Sequence, residues 1–266
     1  MASVNGPKAR STTDPPRERR ILWGAPHGWA VPGEWLDWVC RWADHSKIPV
    51  SMPQWAGHPG RVDLARSWLI DIAKANRQYS ELWTFDTDVW FHDAPCSGGC
   101  DHPIMSADRV AEIVQEDFDR GWDVIHAPVM SAHGPASWGF ESTRQFGANV
   151  YDGTSTFAVA WTTGAFLAFR REAIDWIEPN GEIQSQDGKV SKLYCRHTPT
   201  TTEDVDLGEN LRKCGLRLGV DPRLLAAHGK VWRTYIDPAW WRAFAGEAAK
   251  IRETPARVES RMEAGK

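Results

Sequence analysis

The chain has little of what would carry it into a membrane, an oxidising compartment or a polyanion's field. No apolar run in its 266 residues approaches the roughly 18 of a membrane-spanning helix. Residues 1–20 hold charge and proline but no apolar stretch of the kind found in a secretory signal. They read as a disordered leader ending in Arg17, Arg19 and Arg20. Cysteine is sparse and odd in number, at five. That rules out a fully paired disulfide framework and fits a reducing cytoplasm. Positive charge is not in excess: 31 Lys and Arg stand against 35 Asp and Glu, a net charge of −4. No global field gathers nucleic acid or an anionic membrane surface, although a local basic patch is compatible with that sum. Internal repeats and low-complexity blocks are also lacking.

What is present is apolar mass: 42% of residues are hydrophobic, enough for one large core. Tryptophan is abundant, at 16. Most of these rings are expected to fill the core and surface grooves, and some to stack on sugar rings or bases.

Periodicity divides the chain into alternating elements. Arg20 to Ala25 reads as a first strand ending at Pro26, and Trp35, Trp38, Val39 and Trp42 recur at helical spacing over 33–43. A Pro/Gly-rich stretch over 48–60 follows, then a helix marked by Val62, Ala65, Leu69 and Ile72. Glu81 to Phe85 is a buried strand ending directly in Asp86-Thr87-Asp88. Val110, Ile113, Val114 and Phe118 mark a helix stopped by Gly121, and Asp123 to Ala127 is another strand. Residues 131–152 show no period, Phe157 to Phe169 is strand-like with Gly164 interrupting it, and Glu172 to Ile177 is a short helix. Asp204 to Cys214 is a helix with Thr201 or Thr202 as its cap and Gly215 past its end; Leu216 to Val220 is a last strand. Such alternation predicts an α/β domain with a mostly parallel central sheet flanked by helices, over residues 21–245, with a charged tail over 246–266. In such sheets ligands bind beyond the carboxyl ends of the strands.

The residues with chemistry fall at those ends. Asp86 and Asp88 are two residues apart after a hydrophobic strand, so an extended chain points both the same way. Two like charges held together call for a cation or a shared proton. Mg²⁺ or Mn²⁺ bound by few carboxylates plus substrate phosphates would suit them, and so would a plain Asp-Thr-Asp turn. Around this motif stand Arg61-Val-Asp63-Leu-Ala-Arg66, then Trp161-Thr-Thr-Gly164-Ala165, then Thr202-Glu203-Asp204, then Asp221-Pro222 and His228-Gly229. Glu203 and Asp204 could simply complement a helix dipole, or one could take a proton from a hydroxyl.

Taken together in this order, these elements resemble the nucleotide-sugar glycosyltransferases of the A-type (GT-A, Rossmann-like) fold, nearest the inverting family-2-like group, over residues 21–229. The resemblance implies a metal-dependent transfer of a sugar from a nucleotide-diphosphate sugar, expected to be a UDP-sugar, to an acceptor hydroxyl. It implies Asp86, Asp88 and His228 as ligands of Mn²⁺ or Mg²⁺. Pro26, Asp63, Arg66, Gly164 and Ala165, with Asp86 and Asp88, would hold the donor, and Asp204 beside Glu203 would supply the general base. The Gln-rich motif and membrane segments of polymer-making relatives are missing, which argues against a processive synthase. The compact chain is similar in style to bacteriophage-type enzymes that glycosylate hydroxymethylated DNA bases, in the cytoplasm of a bacterial or phage-infected cell. DNA is therefore one acceptor class, with glycans and small molecules the other.

Two further readings complete the set. His92, Cys96, Cys100 and His102 lie within eleven positions, a donor set for a structural Zn²⁺ to which Cys195 and His197 could also contribute, or an irregular loop with free thiols. A metal-dependent nucleotidyltransferase is disfavoured because Ala25 to Gly33 has glycines but no Lys or Arg to cradle phosphates. A non-catalytic sugar- or nucleic-acid-binding module would use the tryptophans, but it gives no reason for the acidic residues to occur in this order.

Overall fold

The computed structural model describes residues 18–27, 54–57, 61–87, 89–91, 105–127, 130–131, 134–135, 156–161, 164–184, 188–224, 226–228 and 234–235. Its elements in chain order are β1 (Ile21–His27), β2 (Gln54–Gly57), α1 (Val62–Ala75), β3 (Glu81–Phe85), β4 (Val89–Phe91), α2 (Ala107–Asp119), β5 (Val124–His126), β6 (Met130–Ser131) and β7 (Gly134–Pro135). There follow β8 (Phe157–Ala158), β9 (Phe166–Arg170), α3 (Arg171–Trp176), β10 (Gly181–Gln184), β11 (Val190–Leu193), α4 (Glu203–Lys213), β12 (Leu218–Val220), β13 (Ala226–His228) and β14 (Thr234–Tyr235).

A seven-stranded sheet in the order β2-β1-β3-β9-β5-β12-β8 forms the centre. Strands β1, β2, β3, β5 and β12 run one way, and β9 and β8 run against them. The fold is thus α/β with a mostly parallel sheet and flanking helices, as the alternation predicts. β3 is buried along its whole length, because a sheet covered on both faces leaves neither row of side chains to water. On one face Trp23, Trp83, Phe85, Phe91 and Phe166 form an aromatic cluster, with Phe85 and Phe166 centroids 4.9 Å apart. Burying each such ring contributes on the order of 2–3 kcal/mol.

The helices form where apolar residues recur every three or four positions. In α1, Ala65, Leu69, Ile70 and Ala73 are buried against β1, β2 and β3. In α2, Val110, Ile113, Val114 and Phe118 are buried, the Ser106 hydroxyl accepts the Arg109 N–H at 3.1 Å, and Gly121 ends the turn with φ +88°. α2 also brings a buried carboxylate, Asp117, beside buried Asp221 at the end of β12. Thr156 Oγ1 donates to Asp117 Oδ1 at 2.5 Å, and Arg223 Nη2 lies 2.7 Å from Asp221 Oδ2 and 3.7 Å from Asp117 Oδ1. Burial, and then Asp221 beside it, pushes the Asp117 carboxyl up to about 7.

Several boundaries differ from the sequence reading. The Pro/Gly-rich stretch contains β2, a short edge strand parallel to β1, which carries too few residues for a period to register. Phe157 to Phe169 is not one interrupted strand: β8 pairs with β12 and β9 inserts between β3 and β5, with the turn at Gly164 before it. The polar hairpin β10–β11 has no apolar alternation to announce it. β12 is not the last strand, since β13 and β14 follow in a second sheet, where β13 pairs with β4 on one side and β14 on the other. The end of the expected leader is tied down: Arg19 pairs with Glu81, and the Arg20 N–H donates to Ser80 Oγ at 2.9 Å. The expected helix over 33–43, the aperiodic stretch 136–152 and the tail over 246–266 lie outside the described residues.

Candidate active site

The site grows from one buried side chain. Arg66 lies on the first turns of α1, on its buried stripe, and is 2% exposed. Its Nη1 donates to Glu203 Oε1 at 2.9 Å, and its Nη2 donates to Asp86 Oδ1 and to the Gly164 carbonyl, both at 3.0 Å. Three segments far apart in sequence therefore meet on one guanidinium: the end of β3, the turn before β9 and the start of α4. Burial alone would lower the proton affinity of Arg66, but Asp86 and Glu203 outweigh it and raise it, so the group stays charged.

Two glycines make room for this arrangement. Gly164 has φ +72°, and a Cβ there would sit 2.4 Å from Arg66 Nη2. The resemblance implies that Gly164 and Ala165 help to hold the donor, and in the fold the side chain packed on Gly164 is Arg66. Ala165 is buried, and its carbonyl accepts the Asp86 N–H at 2.8 Å, which pins the residue after β3. Gly208 lets α4 approach the segment that follows β8: a Cβ there would lie 2.3 Å from the Trp161 Cα. Asp206 anchors the same helix, accepting from Asn180 Nδ2 at 2.6 Å and from the Arg196 N–H at 2.8 Å.

The acidic pair on α4 is divided by its surroundings. Burial would raise the Glu203 carboxyl, but the Arg66 guanidinium, the backbone and His197 hold it below its ordinary range. Its second oxygen, Oε2, lies 3.2 Å from His197 Nδ1. Asp204 is half-buried on the same turn, and its Oδ1 accepts the Val205 N–H at 2.9 Å and the Thr202 hydroxyl. Thr202 is the N-cap residue, as its position in the sequence suggests, but its side chain makes no capping bond to the backbone.

Asp63 is buried beneath the mouth of the cluster. Arg61 Nε and Nη2 grip its two oxygens at 2.9 Å each, and the His197 N–H donates to Oδ2 at 3.4 Å. Burial would raise its carboxyl; the Arg61 and backbone hydrogen bonds bring it below the ordinary range. Cys195, under the same turn, is inert, since burial pushes its thiol up to about 12.

Of the residues singled out in the sequence, Arg66, Asp86, Gly164, Ala165 and Glu203 meet in this cluster, with Asp63 and Asp204 at its edges. The backbone of Pro26 lies on β1, opposite Ala56 of β2. The backbone of His228 lies on β13 opposite Val89, the residue that follows Asp88. That register brings the expected third ligand's position, 139 residues after Val89, beside the Asp86-Thr87-Asp88 motif, a convergence that local sequence carries no trace of. Asp88 itself, and His92, Cys96, Cys100 and His102, lie outside the described residues. Among the described residues no three His, Cys, Asp or Glu side chains are grouped to hold a metal ion. Likewise among the described residues, no helix is long and apolar enough to cross a membrane. Arg61 stands two residues before Asp63 in the sequence, whereas only the fold brings His197 to Asp63, 134 positions away.

No family model matches the chain, and no curated protein matches it. Among solved structures it is similar to a viral protein from STIV, at 18% identity over 82% of this chain and 87% of that one, with a TM-score of 0.49. It is also similar to the catalytic domain of Drosophila β1,4-galactosyltransferase 7 in complex with xylobiose, at 10% identity over 76% of this chain and 65% of that one, with a TM-score of 0.38. A mutant of that enzyme in complex with manganese, UDP-Gal and xylobiose gives 11% identity over the same shares, with a TM-score of 0.36. These likenesses concern the path of the chain.

Proposed function

We propose that this protein is a GT-A glycosyltransferase that moves a sugar from a nucleotide-diphosphate sugar, a UDP-sugar in the first instance, to an acceptor hydroxyl with the help of Mn²⁺ or Mg²⁺. The observation that carries this reading is the convergence on buried Arg66 of Asp86, Gly164 and Glu203, each from one of the elements that the family resemblance marks as functional. The cluster lies beyond the carboxyl end of β3, where open α/β sheets bind their ligands. Asp86, Asp88 and His228 would hold the metal, which when bound neutralises charge on the diphosphate leaving group. The register of His228 against Val89 supports that set.

The protein's own groups then have distinct tasks. Glu203 is committed to Arg66 and His197 and is held ionised with low basicity, so it anchors the site. Asp204, on the same turn, takes the proton from the acceptor hydroxyl as its oxygen attacks the anomeric carbon. Nη2 of Arg66 donates to both Asp86 and the Gly164 carbonyl and Nη1 to Glu203, so among the described residues Nη1 keeps one hydrogen that a diphosphate oxygen could accept without displacing a protein group. Asp63 and Pro26 would flank the nucleoside.

The test is a thermal-shift screen of nucleoside diphosphates and their sugars, with and without Mn²⁺. A ligand that binds the folded state alone raises the melting temperature. Stabilisation that needs both nucleotide and metal, and that disappears in Asp88→Ala, is the expected result. No shift with any nucleotide under any metal would sink the reading and leave a non-catalytic binding module in its place. Transfer assays on hydroxymethylated DNA, glycans and small molecules then decide the acceptor. Asp204→Asn should keep donor binding while losing most transfer, and transfer at the parent rate would refute its role as base.

A further inference from the structure

We propose that His197 is a contact for the donor's diphosphate that takes up a proton when the donor binds, held in position by Glu203 and Asp63. This inference rests on the nucleotide-sugar reading of the site. Asp63, Asp86, Glu203 and Asp204 surround the cluster, and Arg66 is only 2% exposed, turned inward to Glu203, Asp86 and the Gly164 carbonyl. A diphosphate entering such an acidic site needs positive groups that can still reach it. Among the described residues at the mouth, Arg61 and His197 meet that need. Their side chains are 42% and 61% exposed, and the one buried carboxylate of Asp63 holds Arg61 by its guanidinium and His197 by its backbone N–H.

His197 is oriented for the task. Its backbone N–H is held by Asp63 Oδ2, and its Nδ1 lies 3.2 Å from Glu203 Oε2. Glu203 is ionised and can only accept, so the ring proton of neutral His197 belongs on Nδ1 and Nε2 carries a lone pair. Protonation turns Nε2 into an N–H donor, the form that a phosphate oxygen accepts from and stabilises. Arg196, its neighbour in sequence, is drawn away to Asp206 at 3.0 Å and does not compete. Arg66, behind Glu203, keeps that carboxylate from moving towards the imidazole. The charged group against the ring is thus Glu203 of α4, with Asp204 next to it in sequence, and Asp63, paired with Arg61 at the head of α1, holds the His197 backbone.

The experiment uses the full chain with ¹⁵N-labelled histidine, the His197 resonance being identified by its loss in His197→Gln. Its titration is followed by NMR with and without each of UDP, GDP, ADP and dTDP, all with Mg²⁺. The midpoint of His197 is expected to rise by roughly one pH unit when a nucleotide binds, a roughly tenfold preference of the imidazolium form for the ligand. The affinity of the parent protein for that nucleotide should correspondingly fall as pH rises through the titration. His197→Gln should lose that pH dependence, and His197→Arg, with its permanent charge, should bind well across the range. A nucleotide that binds while the His197 midpoint stays put overturns this proposal and leaves the donor-site reading intact. If none of the four nucleotides binds, both fall together.

Discussion

Asp117→Asn should make this protein more stable above neutral pH, and the gain should grow with pH in a defined window. Asp117 is fully buried, faces Asp221, and has one oxygen, Oδ2, without a hydrogen-bond partner among the described residues. Its carboxyl is raised from an ordinary 3.8 to about 7, first by burial and then by Asp221. For an acid raised on folding, the folded state binds more protons than the unfolded state between those two values. Stability from this group is therefore greatest at low pH, falls as pH climbs from about 4 to about 7, and is level above that. A shift of about three units corresponds to about 4 kcal/mol at its limit, at about 1.4 kcal/mol per unit. Asparagine keeps the shape, can still accept from Thr156, and offers Asp221 the donor that a protonated Asp117 would offer. It forgoes the attraction of Asp117 to Arg223 and Arg120, so a net gain of about 2–3 kcal/mol at pH 8 is expected. For a chain of this size that is about 5–10 °C in Tm. The assay is a pair of urea or thermal unfolding series from pH 4.5 to 8.5. The carboxylates held below their ordinary range (Asp63, Glu203, Asp206 and Glu116) give the opposite slope, but they are common to both proteins and cancel in the difference. Parallel curves, or a variant less stable than the parent at pH 8, would refute the reasoning.

Gly164→Ala should cost about 1–3 kcal/mol from its positive φ, and should weaken nucleotide binding further because its methyl lands on the Arg66 guanidinium; normal binding in a destabilised variant would show that the contact is not needed. Arg66→Gln strands two partly buried carboxylates and should cost about 2–4 kcal/mol in urea unfolding. Adding Glu203→Gln to it should recover part of that loss, and strict additivity of the two changes would argue against the pairing.

Much of the scaffold could be read from local pattern. The 3.6-residue spacing in α1 and α2, the uninterrupted apolar run of β3 and the glycines after α2 and α4 each act over a few neighbouring residues, so the sequence alone locates them. The acidic residues at the ends of elements, Asp86, Glu203 and Asp204, were legible for the same reason: a carboxylate after a buried strand or at a helix start stands out locally. The amino-acid order thus determined the α/β class, the principal helices and which residue types could do chemistry. The tertiary structure decided the strands without apolar periodicity, β2 and the β10–β11 hairpin, and the insertion of β9 between β3 and β5. It alone joined Arg66 to partners 20, 98 and 137 positions away, set His228 opposite Val89, and turned His197 towards Glu203. Hydrogen bonds and charge pairs depend on distance in space, and no local period in the sequence encodes which distant segments the sheet will bring within 3 Å of one another.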